Sequence, residues 1–130
     1  MPSPAHPLLR FLATLFGTIF LGFGFSYTFF PRRAYASIGL PALSSSTTSL
    51  DAEILDAVIT LFGAKDVFVG VALLVTTWVA NRRVAGVLLV AASACAGVDG
   101  WVVQRVAGSG GWNHWGYGVV MGCVGVLMGR

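Results

Sequence analysis

Apolar runs long enough to cross a bilayer recur along this chain, and no other feature limits its fold as strongly. About 20 mainly apolar residues span the hydrocarbon core, and residues 8–30 supply them with no charge after Arg10. A second run, 54–80, carries Lys65 and Asp66 near its middle and no charge from Val67 onward. Asn81, Arg82 and Arg83 then form a tight polar turn, and a third run, 84–106, is interrupted only by Asp99, Gln104 and Arg105. Turns this short make antiparallel neighbours. The fourth run, 115–128, is shorter, with Trp112, Trp115 and Tyr117 at its start as headgroup-level aromatics. The expected architecture is all-α: one transmembrane domain over 1–130, folded as a four-helix up-down bundle.

The composition agrees. Charged residues make up 10% of the chain and hydrophobic ones 56%, whereas a globular chain carries roughly a quarter charged. That balance excludes a soluble globular enzyme. The net charge of +3 comes from scattered cations, with no basic stripe for phosphates, so no nucleic-acid partner is expected. Cys95 and Cys123 lack metal-type spacing. Gly108 to Gly111 follows no strand and precedes no Walker lysine, so it reads as a turn. No cofactor motif and no metal-ligand set is expected.

The one long connection, 31–53, reads as a surface loop, Ser/Thr-rich over 43–50, with Asp51 as N-cap of the second helix. Ala34-Tyr35-Ala36 fits a small-x-small cleavage pattern. The preceding apolar run is too long for an ordinary signal peptide, however, and Arg32 and Arg33 stand just before the cut, so helix one is expected to stay. With both termini cytoplasmic, arginines split four to three between the two faces, a margin that sets no orientation.

Ionisable side chains inside spans are expensive, face the bundle interior and mark functional sites by default. Asp66 lies 15 residues before Asn81 and Asp99 lies 16 after Arg83, which places both carboxylates at nearly one depth. Helical spacing puts Ile59, Phe62, Gly63, Val69, Gly70 and Leu73 on the Asp66 face. Ala92, Cys95, Ala96, Val102 and Val103 accompany Asp99. Up-down topology gathers Tyr27, Asp56, Gln104, Arg105, Trp112, Asn113 and His114 at one end. The expected site is a pocket open toward one leaflet, with an apolar floor and with Asp66, Asp99, His114 and Tyr27 as wall groups. Lys65, Phe62, Trp101, Gln104 and Arg105 are the expected substrate-binding residues. Lys65 is adjacent to Asp66 and points about 100 degrees away from it on a helix, so the two are not expected to pair. Either aspartate can equally meet a lysine or arginine across the bundle and simply lock it. A proton or ion pathway fits less well, because the half around Leu88 to Val90 is aliphatic. Gly118, Gly122, Gly125 and Gly129 form a smooth stripe for close packing, which can also serve a homo-oligomer.

With Gly63-Ala64-Lys65-Asp66, Val98-Asp99-Gly100-Trp101 and a His114 opening the last helix, the chain resembles the small fungal four-helix membrane proteins grouped as DUF4267. Gly17, Gly22 and Gly24 match that family's early glycine-rich helix. Lys65 stands where the pattern has arginine, which removes a bidentate arginine from the site. Proteins of this kind also look like small membrane hydrolases or cyclases of fungal secondary metabolism. The resemblance implies a multi-pass protein of the endoplasmic reticulum or another internal membrane that opens an epoxide on a lipophilic substrate without a cofactor. The residues suit that chemistry: one carboxylate takes the nucleophile's proton while the other, protonated, supplies one to the departing oxygen. Tyr27 or His114 would orient the nucleophile. The alternative is a structural or accessory membrane protein whose aspartates form interhelical ion pairs.

Overall fold

The computed structural model describes residues 6–41, 43–44 and 46–130, which form five helices: α1 (Pro7–Phe29), α2 (Pro31–Ile38), α3 (Ser49–Trp78), α4 (Arg82–Ala107) and α5 (Gly111–Gly129). α1, α3 and α4 are each long and apolar enough to cross a membrane. Large apolar side chains such as Phe11, Leu61, Phe68, Val87 and Val119 face outward. Water does not tolerate an apolar surface of that extent; this is a membrane protein.

Local chemistry sets the boundaries. Pro7 opens α1, and the Leu8 amide donates to the His6 ring. Phe30, which precedes Pro31, leaves the helical region at φ −133° and ends it. Where a loop was expected, Pro31 starts α2 with its φ already set. α2 then turns Ala34, Tyr35 and Ile38 inward against Tyr27, Ile59 and Val103, and Gly39 stops it in the left-handed region at φ 90°. The proposed cleavage site therefore lies inside a packed helix. α3 begins before its apolar run and is capped by Thr48 rather than Asp51. The Thr48 hydroxyl accepts from the Asp51 amide at 3.1 Å and donates to the Asp51 carboxylate at 2.6 Å. The expected Ser/Thr-rich stretch 43–50 includes Ser45, which lies outside the described residues.

The long helices pack as two tight pairs, α1 on α3 and α4 on α5, with thinner contact between the pairs. Glycine spacing explains it. Gly17 and Gly24 on α1 are seven residues apart, as are Gly63 and Gly70 on α3 and Gly111, Gly118 and Gly125 on α5. Seven residues is close to two turns, so each set shares a face. A Cβ at Gly24 would lie 2.8 Å from the Gly63 oxygen, and one at Gly70 would lie 2.8 Å from the Gly17 oxygen. On the other pair, a Cβ at Gly125 would lie 2.7 Å from the Gly86 oxygen. The partner numbers fall on one helix as they rise on the other, so both pairs are antiparallel. Gly118, Gly122 and Gly125 thus meet Ala96, Ser93 and Gly86 of the same chain, so this part of the expected stripe packs on α4, while a Cβ at Gly129 would meet no atom within 4 Å.

Gly22 differs from these: it is exposed, and a Cβ there would meet no atom within 4 Å. Gly22→Ala is expected to stabilise the protein by about 0.5–1 kcal/mol through backbone entropy alone, read as a higher melting temperature in detergent.

Two clusters fill the interior. One holds Phe16, Leu73, Leu89, Met121 and Met128, and the other holds Tyr27, Tyr35, Ile38, Ile59 and Val103 beneath α2. The site occupies the looser space between the two helix pairs.

Candidate functional site

Asp66 is 4% exposed and falls in line with Ile59, Gly63, Gly70 and Leu73 on the buried face of α3, as helical spacing predicts. Asp99 sits half-buried at the flank of the buried face of α4. Both line one small cavity of about 100 Å³, together with Lys65, Phe20 and Tyr117. Phe68 and Cys95, also in its wall, are exposed, so the cavity opens sideways toward lipid.

Lys65 corrects one expectation. Its Nζ folds back to 3.4 Å from Asp66 Oδ1 and lies 3.7 Å from the centroid of the Phe62 ring. Four methylenes give the ammonium enough reach to overcome the angle between adjacent helical positions, and the ring face holds it there. The contact is an ion pair without hydrogen-bond alignment, so buried Asp66 Oδ1 accepts no hydrogen bond.

The expected single pocket is divided. Tyr27 and His114 line a second cavity of about 450 Å³ with Asn113, Ser37, Phe16 and Met121. Phe20 and Tyr117 belong to both walls. A third cavity of about 190 Å³ lies under α2, where Phe62 and Asp99 meet Ile59 and Val103. Asp99 therefore borders two cavities, and Tyr117 stands between the aspartates and the larger chamber.

His114 is 9% exposed, with Nε2 2.9 Å from the Ile38 carbonyl and Nδ1 3.0 Å from the Tyr117 hydroxyl. A carbonyl only accepts, so Nε2 carries the proton and, in the neutral ring, Nδ1 accepts from Tyr117. The partners, rather than observed hydrogens, assign this tautomer. His114 thereby ties the C-terminal end of α2 to α5. Tyr117 was read from sequence only as a headgroup-level aromatic. Its signal was its spacing, since residues three apart on a helix are neighbours. Trp115 likewise turns inward, donating from its indole to the Gly97 carbonyl at 3.1 Å, whereas Trp112 is exposed and the Tyr117 ring is partly so.

Three expected substrate-binding residues lie apart from these cavities. Trp101 and Arg105 stack on each other at 5.3 Å on an outer face of α4. Gln104 clamps the α4–α5 turn, donating to the Gly108 carbonyl at 2.9 Å and accepting from the Gly111 amide at 3.3 Å. Asp56 accepts from Arg32 Nε at 2.9 Å and from the Tyr35 hydroxyl, pinning α2 to α3. Burial first, and then that hydrogen bond, push the Tyr35 phenol up to about 12, so it remains a donor at neutral pH.

Apolar helices around two inward-set carboxylates, beside an apolar chamber, define an all-helical membrane protein with an ionisable interior site. The chain belongs to the family described as Domain of unknown function (DUF4267), whose model matches residues 17–128. No curated protein and no solved structure matches it.

Proposed function

We propose that the protein is a cofactor-independent membrane enzyme that opens an epoxide on a lipophilic small molecule, by hydrolysis or cyclisation, with Asp66 and Asp99 as its acid and base. One observation carries this reading: Asp66, buried within the helices, lines a cavity that it shares with Asp99. The larger chamber next to it offers an apolar wall for the body of the substrate. One aspartate takes the proton of the attacking water or internal hydroxyl. The other donates a proton to the epoxide oxygen as the C–O bond breaks. Tyr27 would donate to a substrate oxygen, and Tyr117, whose proton goes to His114 Nδ1, would accept from the attacking water or hydroxyl.

All four long helices cross the bilayer in this reading. α5 has 19 residues, and about 28 Å of helix is close to the thickness of the hydrocarbon core. Residence in the endoplasmic reticulum or a similar internal membrane, and a place in fungal secondary metabolism, rest on the family resemblance alone.

The test is the purified protein in detergent, incubated with a panel of lipophilic epoxides and followed by mass spectrometry. The expected product is a diol, one water heavier, or a cyclic ether of unchanged mass. Absence of both across the panel overturns the reading. The Arg32–Asp56 ion pair, which joins α2 to α3, favours a second reading, a structural or accessory membrane protein whose aspartates hold its helices together.

A further inference from the structure

Arg10, Arg82 and Arg83 lie at the end of the molecule opposite α2, where α5 also ends at Gly129 beside Gly86, just before Arg130. Arg10 stacks its guanidinium on Trp78 of α3 at 4.8 Å, and Trp78 donates to Thr14 of α1 at 3.0 Å. Arg82 and Arg83 open α4 just beyond the short connection from α3. The acidic residues of the chain are Asp51, Glu53, Asp56, Asp66 and Asp99. The first three lie at the α2 end, where Asp56 neutralises Arg32, and the other two lie deep within the helices. Among the described residues, Arg10, Arg82 and Arg83 form no ion pair. Arg10 Nε and Arg82 Nε are buried without a hydrogen-bond acceptor, as is Oγ1 of Thr77, a residue 6% exposed in the same terminal turn of α3.

Half-buried guanidinium groups without an acceptor are costly unless an anion meets them, and the remaining donors of each arginine match the oxygens of a phosphate. Next to this cluster the surface is apolar: Leu8, Phe11, Val79 and Val84 are exposed. Cations beside apolar surface suit a ligand that joins a charged phosphate to hydrocarbon. We infer that this end binds the headgroup phosphate of an anionic membrane phospholipid, held by Arg10, Arg82 and Arg83, with its acyl chains along α1 and α4. The site is independent of the aspartate cavity.

The experiment measures thermal unfolding of the full chain in a neutral detergent with added phosphatidic acid, phosphatidylglycerol, phosphatidylcholine or inorganic phosphate. The same titrations are run on Arg10→Gln, Arg82→Gln and, as an opposite-end control, Arg33→Gln. The anionic lipids are expected to raise the melting temperature of wild type and of Arg33→Gln, and phosphatidylcholine is not. Arg10→Gln and Arg82→Gln should each need about tenfold more lipid for the same gain, the loss of one charge-assisted contact. Melting in phosphatidylcholine alone shows whether a variant is folded, and Arg82→Lys, which keeps the charge, should retain most of the gain. Equal stabilisation by phosphatidylcholine, or a full gain in both glutamine variants, overturns the inference. So does inorganic phosphate acting as well as lipid, since the site would then take a soluble anion.

Discussion

Gly63→Ala lowers the stability of the detergent-solubilised protein by about 3 kcal/mol, the upper range for forcing a methyl group into a packed interface. A Cβ there would stand 2.6 Å from the Thr28 amide nitrogen and 2.8 Å from the Gly24 oxygen. Those atoms are backbone, so no rotamer change relieves the clash and α1 must move away from α3. Thr28 is also committed, because its hydroxyl donates to the Gly24 carbonyl at 2.8 Å. The separation would widen the space behind Asp66 as well, so the shape of its cavity should change along with stability. Thermal melts of Gly63→Ala beside Gly22→Ala provide the check: the same chemical change is expected to give opposite signs. A neutral Gly63→Ala would mean that the two helices are not in contact at this depth.

Asp66→Asn is expected to lower turnover of any epoxide that the wild type opens by about 10²–10⁴-fold, the usual contribution of a positioned proton-transfer group. Its melting temperature should change little. Asparagine is nearly isosteric, and the ion pair it removes lacks hydrogen-bond alignment with a partner, Lys65, that also rests on Phe62. Asp99→Asn should behave in the same way. An accessory protein held together by ion pairs predicts the reverse, a drop in melting temperature with no product to lose. Turnover and melts measured on one preparation separate the two readings. Retention of turnover in both variants would remove the aspartates from the chemistry and leave the cavity in need of other catalytic groups.

Much of the architecture was legible because lipid imposes simple rules. A span must be long, apolar and helical, and a charge within it must point inward. Those rules place the long helices, the buried face of α3 through Asp66 and the shared depth of the two aspartates. The seven-residue glycine intervals were also present in the sequence and predict which helix faces approach closely. α2 was not legible: its eight residues lie in a polar connection, and its helix depends on burying Ala34, Tyr35 and Ile38 against side chains distant in sequence.

The candidate site divides along the same line. Which residues share a level along the helices follows from counting along each one, and Asp66 and Asp99 were found that way. Which of them share a cavity depends on how each helix is rotated and which partner it packs on, and that is decided by contacts between helices. Spacing along α4 and α5 could not place Trp101, Gln104 and Arg105 outside the cavities, nor set Tyr117 between the aspartates and the larger chamber. Nor could it show that His114 spends both ring nitrogens on Ile38 and Tyr117. A hydrophobic pattern encodes depth and one face of each helix; the pairing of faces is a property of the assembled chain, because it is chosen by glycine contacts and by polar groups that find partners only once the helices have met.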